Sequence, residues 1–326
     1  MNDSDDPVSG ADIQAQYDSL TQSSGFVKLP NRCFVSMTGE DRQKLLHSFC
    51  TNDIKKLTNG DVCEAFVLNT KGKLLGHVHA IAADDELLLT GHGDQSSTLI
   101  EHLDKYVIRE DVEMSVRDDE LSSIFACGDK VAEGLAKICG ELPGLNQFTQ
   151  HQTDSISFKL VRIELAGPGF LIICDASSID ELALSLSTSG IKECSSAALE
   201  IVRIEACTPW FGIDADDSNL PQELQRDEIA ISFDKGCYLG QETVARIDAR
   251  GRVNQLLTGF RFTGDSTPPL GEFSHDEKTA GRITSFAQLP TSNSQTASYI
   301  AMGYVRRQFQ DPGTQLGDWV VLDENS

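Results

Sequence analysis

Apolar and polar positions repeat along this chain with two different periods. DVCEAFVLNT (61–70), LLGHVHAIA (74–82), SISFKLVRIEL (155–165) and GFLIICD (169–175) are short apolar runs bounded by turn residues. They predict strands. Helical spacing appears elsewhere: Leu45, Leu46, Phe49 and Cys50 after a Thr38 cap signal, then Leu99, Leu103, Tyr106 and Val107, then Val131, Leu135 and Ile138. SIDELALSLSTSG (178–190) reads as a further helix. Paired strands separated by single helices predict an α+β fold with antiparallel sheets.

The character changes after about residue 250. QLLTGFRF, TAGRITSFA, YIAMGYVRR and GDWVVLD are short strands between turns rich in Gly, Pro and Ser, which predicts a small all-β unit, a barrel or sandwich. LPTSNSQTAS (289–298) reads as a flexible connection. Residues 1–24 are polar and acidic and predict a loose tail. The expected organisation is therefore a tail (1–24), an α/β region (25–249) and a C-terminal β unit (250–326).

Charge narrows the partners. Fifty Asp and Glu against 27 Lys and Arg give a net charge of -23. Such a surface repels phosphate backbones, so broad nucleic-acid binding is not expected. The opening MNDSDDPVSG has neither a basic nor an apolar segment of a secretion signal, and no apolar run reaches membrane-spanning length. These readings point to a cytoplasmic protein without membrane contact. Nine cysteines occur, none in a C-x-x-C pair, so zinc-ribbon and thioredoxin spacings are absent. Walker A, G-x-S-x-G, H-E-x-x-H and G-x-G-x-x-G motifs are absent too.

Three places carry candidate chemistry. In SSAALEIVRIEACTPWFGID (195–214), Ala198, Ile201, Val202 and Glu205 recur at helical spacing, which puts a carboxylate on an apolar stripe. It either reaches water at the stripe's edge or lines a pocket and accepts N–H bonds from a flat heterocycle. In DKGCYLGQETVAR (234–246), Cys237 follows Lys235 in a glycine-containing turn that leads into a helix. A neighbouring ammonium and a helix N-terminus both favour thiolate. The thiol is a nucleophile, one ligand of a soft metal, or packing in a tight turn. His77 and His79 share one face of a strand, as half of a metal site or as an exposed pair on a half-wet sheet.

KGCYLGQE (235–242) resembles the signature of the YgfZ family of folate-binding proteins. RIEACTPWFGIDADDSNLPQE and VSMTGEDRQKLLHSFCTNDIKKLTNGD are similar to segments that this family shares with the glycine-cleavage T-proteins. The resemblance runs from about Gly25 through the β unit. It implies intertwined α/β subdomains around a central cavity, plus a C-terminal β-barrel. It implies tetrahydrofolate or a one-carbon derivative as cofactor, held by Glu205, with Asp214, Gln241 and Arg246 as further folate-contact candidates. Lys235 and Cys237 are then the reactive pair. The implied role is assistance to iron–sulfur cluster assembly or repair, with the assembly machinery or client cluster proteins, including tRNA-modifying enzymes, as partners. The T-proteins themselves are aminomethyltransferases, the alternative reading. Where they carry acids, TKGKLLGHV here has Leu75 and Gly76, which argues against that activity.

Overall fold

The computed structural model describes residues 10–153, 155–290 and 298–323. The first of its three sheets is antiparallel, with strands in the spatial order Val62–Leu68, Leu74–Ala82, Leu87–His92, Arg32–Thr38 and Glu113–Val116. The second runs Lys192–Glu193, Gly25–Leu29, Leu121–Cys127, Pro168–Asp175, Ser157–Glu164 and Gln147–Gln152. Only its first pair is parallel. The chain enters the second sheet at Gly25, leaves to build the first, and returns at Leu121. The two α/β units are thus interlaced, as the family resemblance implies.

The two-residue period of a strand sorts its side chains between two cores. Ile81 and Leu88 of the first sheet meet Phe125, Leu171 and Ile173 of the second in one shared cluster. Their neighbours Ala80, Ala82, Leu87 and Leu89 face the other way, onto Leu45, Leu46, Leu99 and Leu103 of two covering helices. Ile124, Ala126 and Ile172 likewise face Val131, Leu135, Leu182 and Leu186. Two sheets therefore lie back to back with helices outside, and strands buried on both faces read as the near-continuous apolar runs seen in the sequence.

The third sheet is antiparallel, in the order Gly271–His275, Lys278–Gln288, Tyr299–Arg306, Gln255–Phe262, Trp319–Val321 and Gln315–Leu316. It is the expected C-terminal β unit. Among the described residues no ladder joins its two end strands. The connection predicted at 289–298 lies mostly outside the described residues.

Helix Ser196–Glu205 ties the molecule together. Ser195 caps it by accepting the Ala198 N–H. Ala198, Leu199 and Val202 enter the shared core, while Ile201 and Ile204 pack on Leu257, Ile300 and Met302 of the third sheet. A helix buried on two sides is apolar over most of its circumference.

The tail expected at 1–24 is corrected in part. Residues Gly10–Thr21 form a helix; residues 1–9 lie outside the described part. Ile13, Tyr17 and Leu20, spaced by four and three, form its apolar face against the 196–205 helix and the shared core. Gln16 fixes the contact, its side-chain oxygen accepting the Ser195 N–H at 2.7 Å.

Candidate functional site

The Lys-Gly-Cys loop is clamped from beneath by its lysine. Lys235, only 7% exposed, donates from Nζ to the carbonyls of His47 (2.6 Å), Cys50 (2.8 Å) and Asn52 (2.7 Å). Those carbonyls belong to the end of helix Arg42–His47 and the loop after it. An ammonium has three donors, and here all three are engaged. The Tyr238 ring lies 4.7 Å from the same Nζ. Burial lowers the Lys235 pKa, with Asp53 acting to raise it and Lys55 to lower it further. This corrects the expectation that Lys235 activates Cys237: the ammonium is turned inward as a structural clamp.

All nine cysteines lie among the described residues, and Cys237 is the exposed one. Burial pushes the thiols of Cys63 and Cys127 up to about 12 and those of Cys33, Cys139, Cys174 and Cys194 up to about 11. The backbone that presents Cys237 is held against the hairpin turn at 69–73. Gly240 has φ 81°, and a Cβ there would lie 2.8 Å from both Asn69 O and Gly72 Cα. Thr243 Oγ1 donates to Lys71 O at 3.1 Å, and Leu239 N to Ser48 O at 2.9 Å. Gly240 is thus required by close backbone approach as well as by conformation. Helix Gln241–Arg250 follows, with Gln241 half-buried and Arg246 exposed.

Glu205 emerges from the core at the last turn of its helix and is exposed, not buried on the stripe. The stripe is wider than the spacing suggested, because Arg203 and Ile204 are also buried. Glu205 accepts a hydrogen bond from Tyr17 Oη at 2.8 Å and borders a cavity of about 510 Å³. Arg162, Phe170, Val202 and Leu20 line the same cavity. Desolvation there raises the Glu205 pKa, and Tyr17 is pushed up to about 12 by burial and by Glu205. None of Lys235, Cys237, Gln241 or Arg246 lines this cavity. The structure does not gather the sequence-predicted residues at one point.

Asp214 is also corrected. It is 1% exposed, and both its oxygens are taken: Oδ2 by Arg203 Nη1 (2.6 Å) and the Trp210 N–H (2.9 Å), Oδ1 by Thr284 and Ser285 hydroxyls (2.6 Å each). It joins the 196–205 helix to the third sheet and leaves no lone pair directed at a ligand.

Sequence reasoning missed a buried polar centre. Glu64 points inward from its strand and pairs with Arg226 through Oε1 (2.5 Å) and Oε2 (2.7 Å). His77 Nε2 lies 2.7 Å from Glu64 Oε1, and His79 Nε2 lies 3.6 Å from Oε2. Both histidines are buried, not exposed on a wet face. Burial would raise the Glu64 pKa, but Arg226 and His77 hold it well below the usual carboxylate range. Arg32 is buried beside Thr90, donating to its hydroxyl at 3.2 and 3.1 Å. The signal was an acid at an inward position among Val62, Phe66 and Leu68. Among the described residues, no group of three His, Cys, Asp or Glu has the geometry to hold a metal.

Comparison with known proteins fits this architecture. The GCVT N-terminal domain family matches residues 10–235. The tRNA-modifying protein YgfZ of Vibrio vulnificus is 26% identical over 246 residues, 75% of this chain and 71% of that protein. That of Yersinia enterocolitica is 26% identical over 247 residues, 76% and 73%. An Arabidopsis thaliana protein named "Putative transferase At1g60990, chloroplastic" is 25% identical over 302 residues, 89% of this chain and 66% of its own length. The chain thus spans just under two thirds of that plant relative. In fold it resembles the glycine cleavage system aminomethyltransferase T from Bartonella henselae, with a TM-score of 0.80 at 17% identity over 96% of this chain and 89% of that one. A match over more than half its length, on the same interlaced sheets, makes this chain a YgfZ-type member of the GCVT N-terminal domain family.

Proposed function

We propose that this protein binds tetrahydrofolate or a one-carbon derivative beside Glu205 and acts as an accessory factor in iron–sulfur cluster assembly or repair. Its clients would include cluster-dependent tRNA-modifying enzymes, in line with the name of its relatives, tRNA-modifying protein YgfZ. The observation that carries the reading is the pairing of a cavity of ligand size with a separate, rigidly presented thiol. At about 510 Å³ the Glu205 cavity falls within the usual range for small-molecule sites. Tyr17 occupies one carboxylate oxygen, which leaves Oε1 for the N–H edge of a pterin. Phe170 and Val202 supply apolar surface for the ring, and Arg162 supplies positive charge for a carboxylate tail. The reduced folate, when bound, supplies one-carbon chemistry; the chain's own part is to orient it and shield it from water.

Transferase chemistry of the T-protein kind finds no support at the hairpin. Gly76 has no room for an acid, since a Cβ would lie 2.8 Å from both Gln95 Oε1 and Leu99 Cδ2. Cys237 remains as the group that meets a sulfur, iron or electrophile carried by a partner. Calorimetric titration with tetrahydrofolate tests the pocket. Glu205→Gln should weaken binding by about 1.5–3 kcal/mol, the scale of a hydrogen bond to a charged group. Equal affinities for wild type and variant would remove Glu205 from the site. Cluster-enzyme activities in cells carrying Cys237→Ser test the second half: activity should fall while folate affinity holds.

A further inference from the structure

The face that the first sheet turns toward the second is apolar along most of its length, with Phe34, Val62, Ile81 and Leu88 in the shared core. At one end it becomes polar. The register sets Glu64 beside His79, His79 beside Thr90 and Arg32 beside His92, all at inward positions of the two-residue period. A small cavity of about 20 Å³ lies against this end, walled by Arg32, His77, His79, His92, Trp210 and Arg226 among others.

Arg32 is a buried charge without a counter-charge. It is 7% exposed, and among the described residues its hydrogen bonds go to the Thr90 hydroxyl and to no carboxylate. Burial lowers its pKa to about 10, and no carboxylate offsets the shift. Buried charges are ordinarily paired, because an uncompensated one is costly. Thr90 engages Nε and Nη2, which leaves Nη1 without a partner. Nη1 is not among the buried polar atoms sealed off without a hydrogen bond, so it keeps open surface, and its residue lines the cavity.

Two neighbours are placed alike. Arg226 donates to Glu64 from Nε and Nη2 and has Nη1 left over, also unsealed. His79 makes no hydrogen bond among the described residues, and its ring nitrogens are unsealed too. Glu64 does not neutralise Arg32, since Arg226 holds both its oxygens. Glu164, also in the wall, is only partly buried, forms no ion pair among the described residues and acts on Arg226 rather than Arg32.

We infer that this cavity binds a monovalent anion of one heavy atom, a halide or hydrosulfide, between Arg32, Arg226 and His79. Larger oxyanions do not fit, since about 20 Å³ takes roughly one water-sized particle. The Trp210 and Phe211 walls suit a weakly hydrated ion of this kind. The cavity shares no residue with that of Glu205, so the inference stands independently of folate binding.

The test places the full chain in sodium gluconate and titrates chloride, bromide or, without oxygen, hydrosulfide at constant ionic strength, so that screening stays fixed. At least one should raise the thermal midpoint saturably below about 100 mM, as a ligand of the folded chain does, and sulfate should not. The order of the three affinities tells a halide source from a sulfur source. Arg32→Gln, which removes the charge and keeps a donor, should weaken binding by about tenfold or more, while Lys278→Gln on the exposed third sheet should leave it unchanged. If Arg32→Gln does not fold, a wild-type crystal soaked in bromide decides, with an anomalous peak expected in contact with Arg32 Nη1. The inference is overturned by no saturable response to any of the three anions, by an equal response to sulfate, by unchanged affinity in folded Arg32→Gln, or by bromide crystals without a peak at Arg32.

Discussion

Lys235 and Cys237 are neighbours in sequence and opposites in environment. The lysine fills three carbonyls beneath the loop, and the cysteine stands in solvent above it. Removing the ammonium strands buried carbonyls, so Lys235→Ala should cost about 2–4 kcal/mol in urea unfolding. Cys237→Ser should stay within about 0.5 kcal/mol of wild type, as surface changes usually do. Brief alkylation followed by mass mapping should mark Cys237 first, since burial disfavours the thiolate at seven of the other eight. In folded Lys235→Ala, its alkylation rate should change by less than about twofold, because accessibility rather than the lysine sets it. A large drop would restore the lysine as activator.

At the level of elements, the buried histidines set the acid response. Burial lowers His47 to about 4 and His79 to about 3, from an ordinary 6.5. Below about pH 6.5 the unfolded chain binds these protons and the folded one does not. Stability should therefore fall as pH drops from 7 toward 4. Glu64, whose folded pKa is depressed, adds its loss below the ordinary carboxylate range. Asp227, raised to about 6, acts in the opposite sense: the stability it contributes is present below about pH 4 and is lost as pH rises through 6. Urea midpoints at pH 7, 6 and 5 measure the balance. His79→Gln should flatten the decline between 6.5 and 5, and an unchanged slope would locate the acid response elsewhere.

The same elements show what a sequence reveals. Strands buried on both faces, such as Leu74–Ala82, are legible as apolar runs, and the covering helices as spaced leucines. The helix Gly10–Thr21 was hidden because three apolar residues among polar ones carry its whole face. The burial of His77 and His79 was hidden because what satisfies them comes from elsewhere: Glu64 from the adjacent strand and, behind it, Arg226 from a distant loop. Asp214 looked like a site residue because a buried structural acid and a ligand-binding acid have the same sequence signature. Only the partners tell them apart.

Across the whole molecule, the N-terminal helix joins the shared core to the Glu205 cavity. Deleting residues 1–21 removes Leu20 from the core and Tyr17 from Glu205. The loss should be about 2–4 kcal/mol, the scale of removing buried apolar side chains, read from urea unfolding. The interlaced chain path also has a consequence in time. Gly25–Leu29 finds its antiparallel partner only at Leu121–Cys127, and that strand is in turn covered by Pro168–Asp175. A chain growing at 5–20 residues per second holds Phe34, Ile81 and Leu88 uncovered for roughly 4–17 s after the first sheet's Leu87–His92 strand has been made. Pairing over such separations is slow to close. Newly made protein therefore passes through an interval in which one sheet lacks the surface that completes it, and its yield in the cell should depend on chaperones more steeply than its final stability suggests.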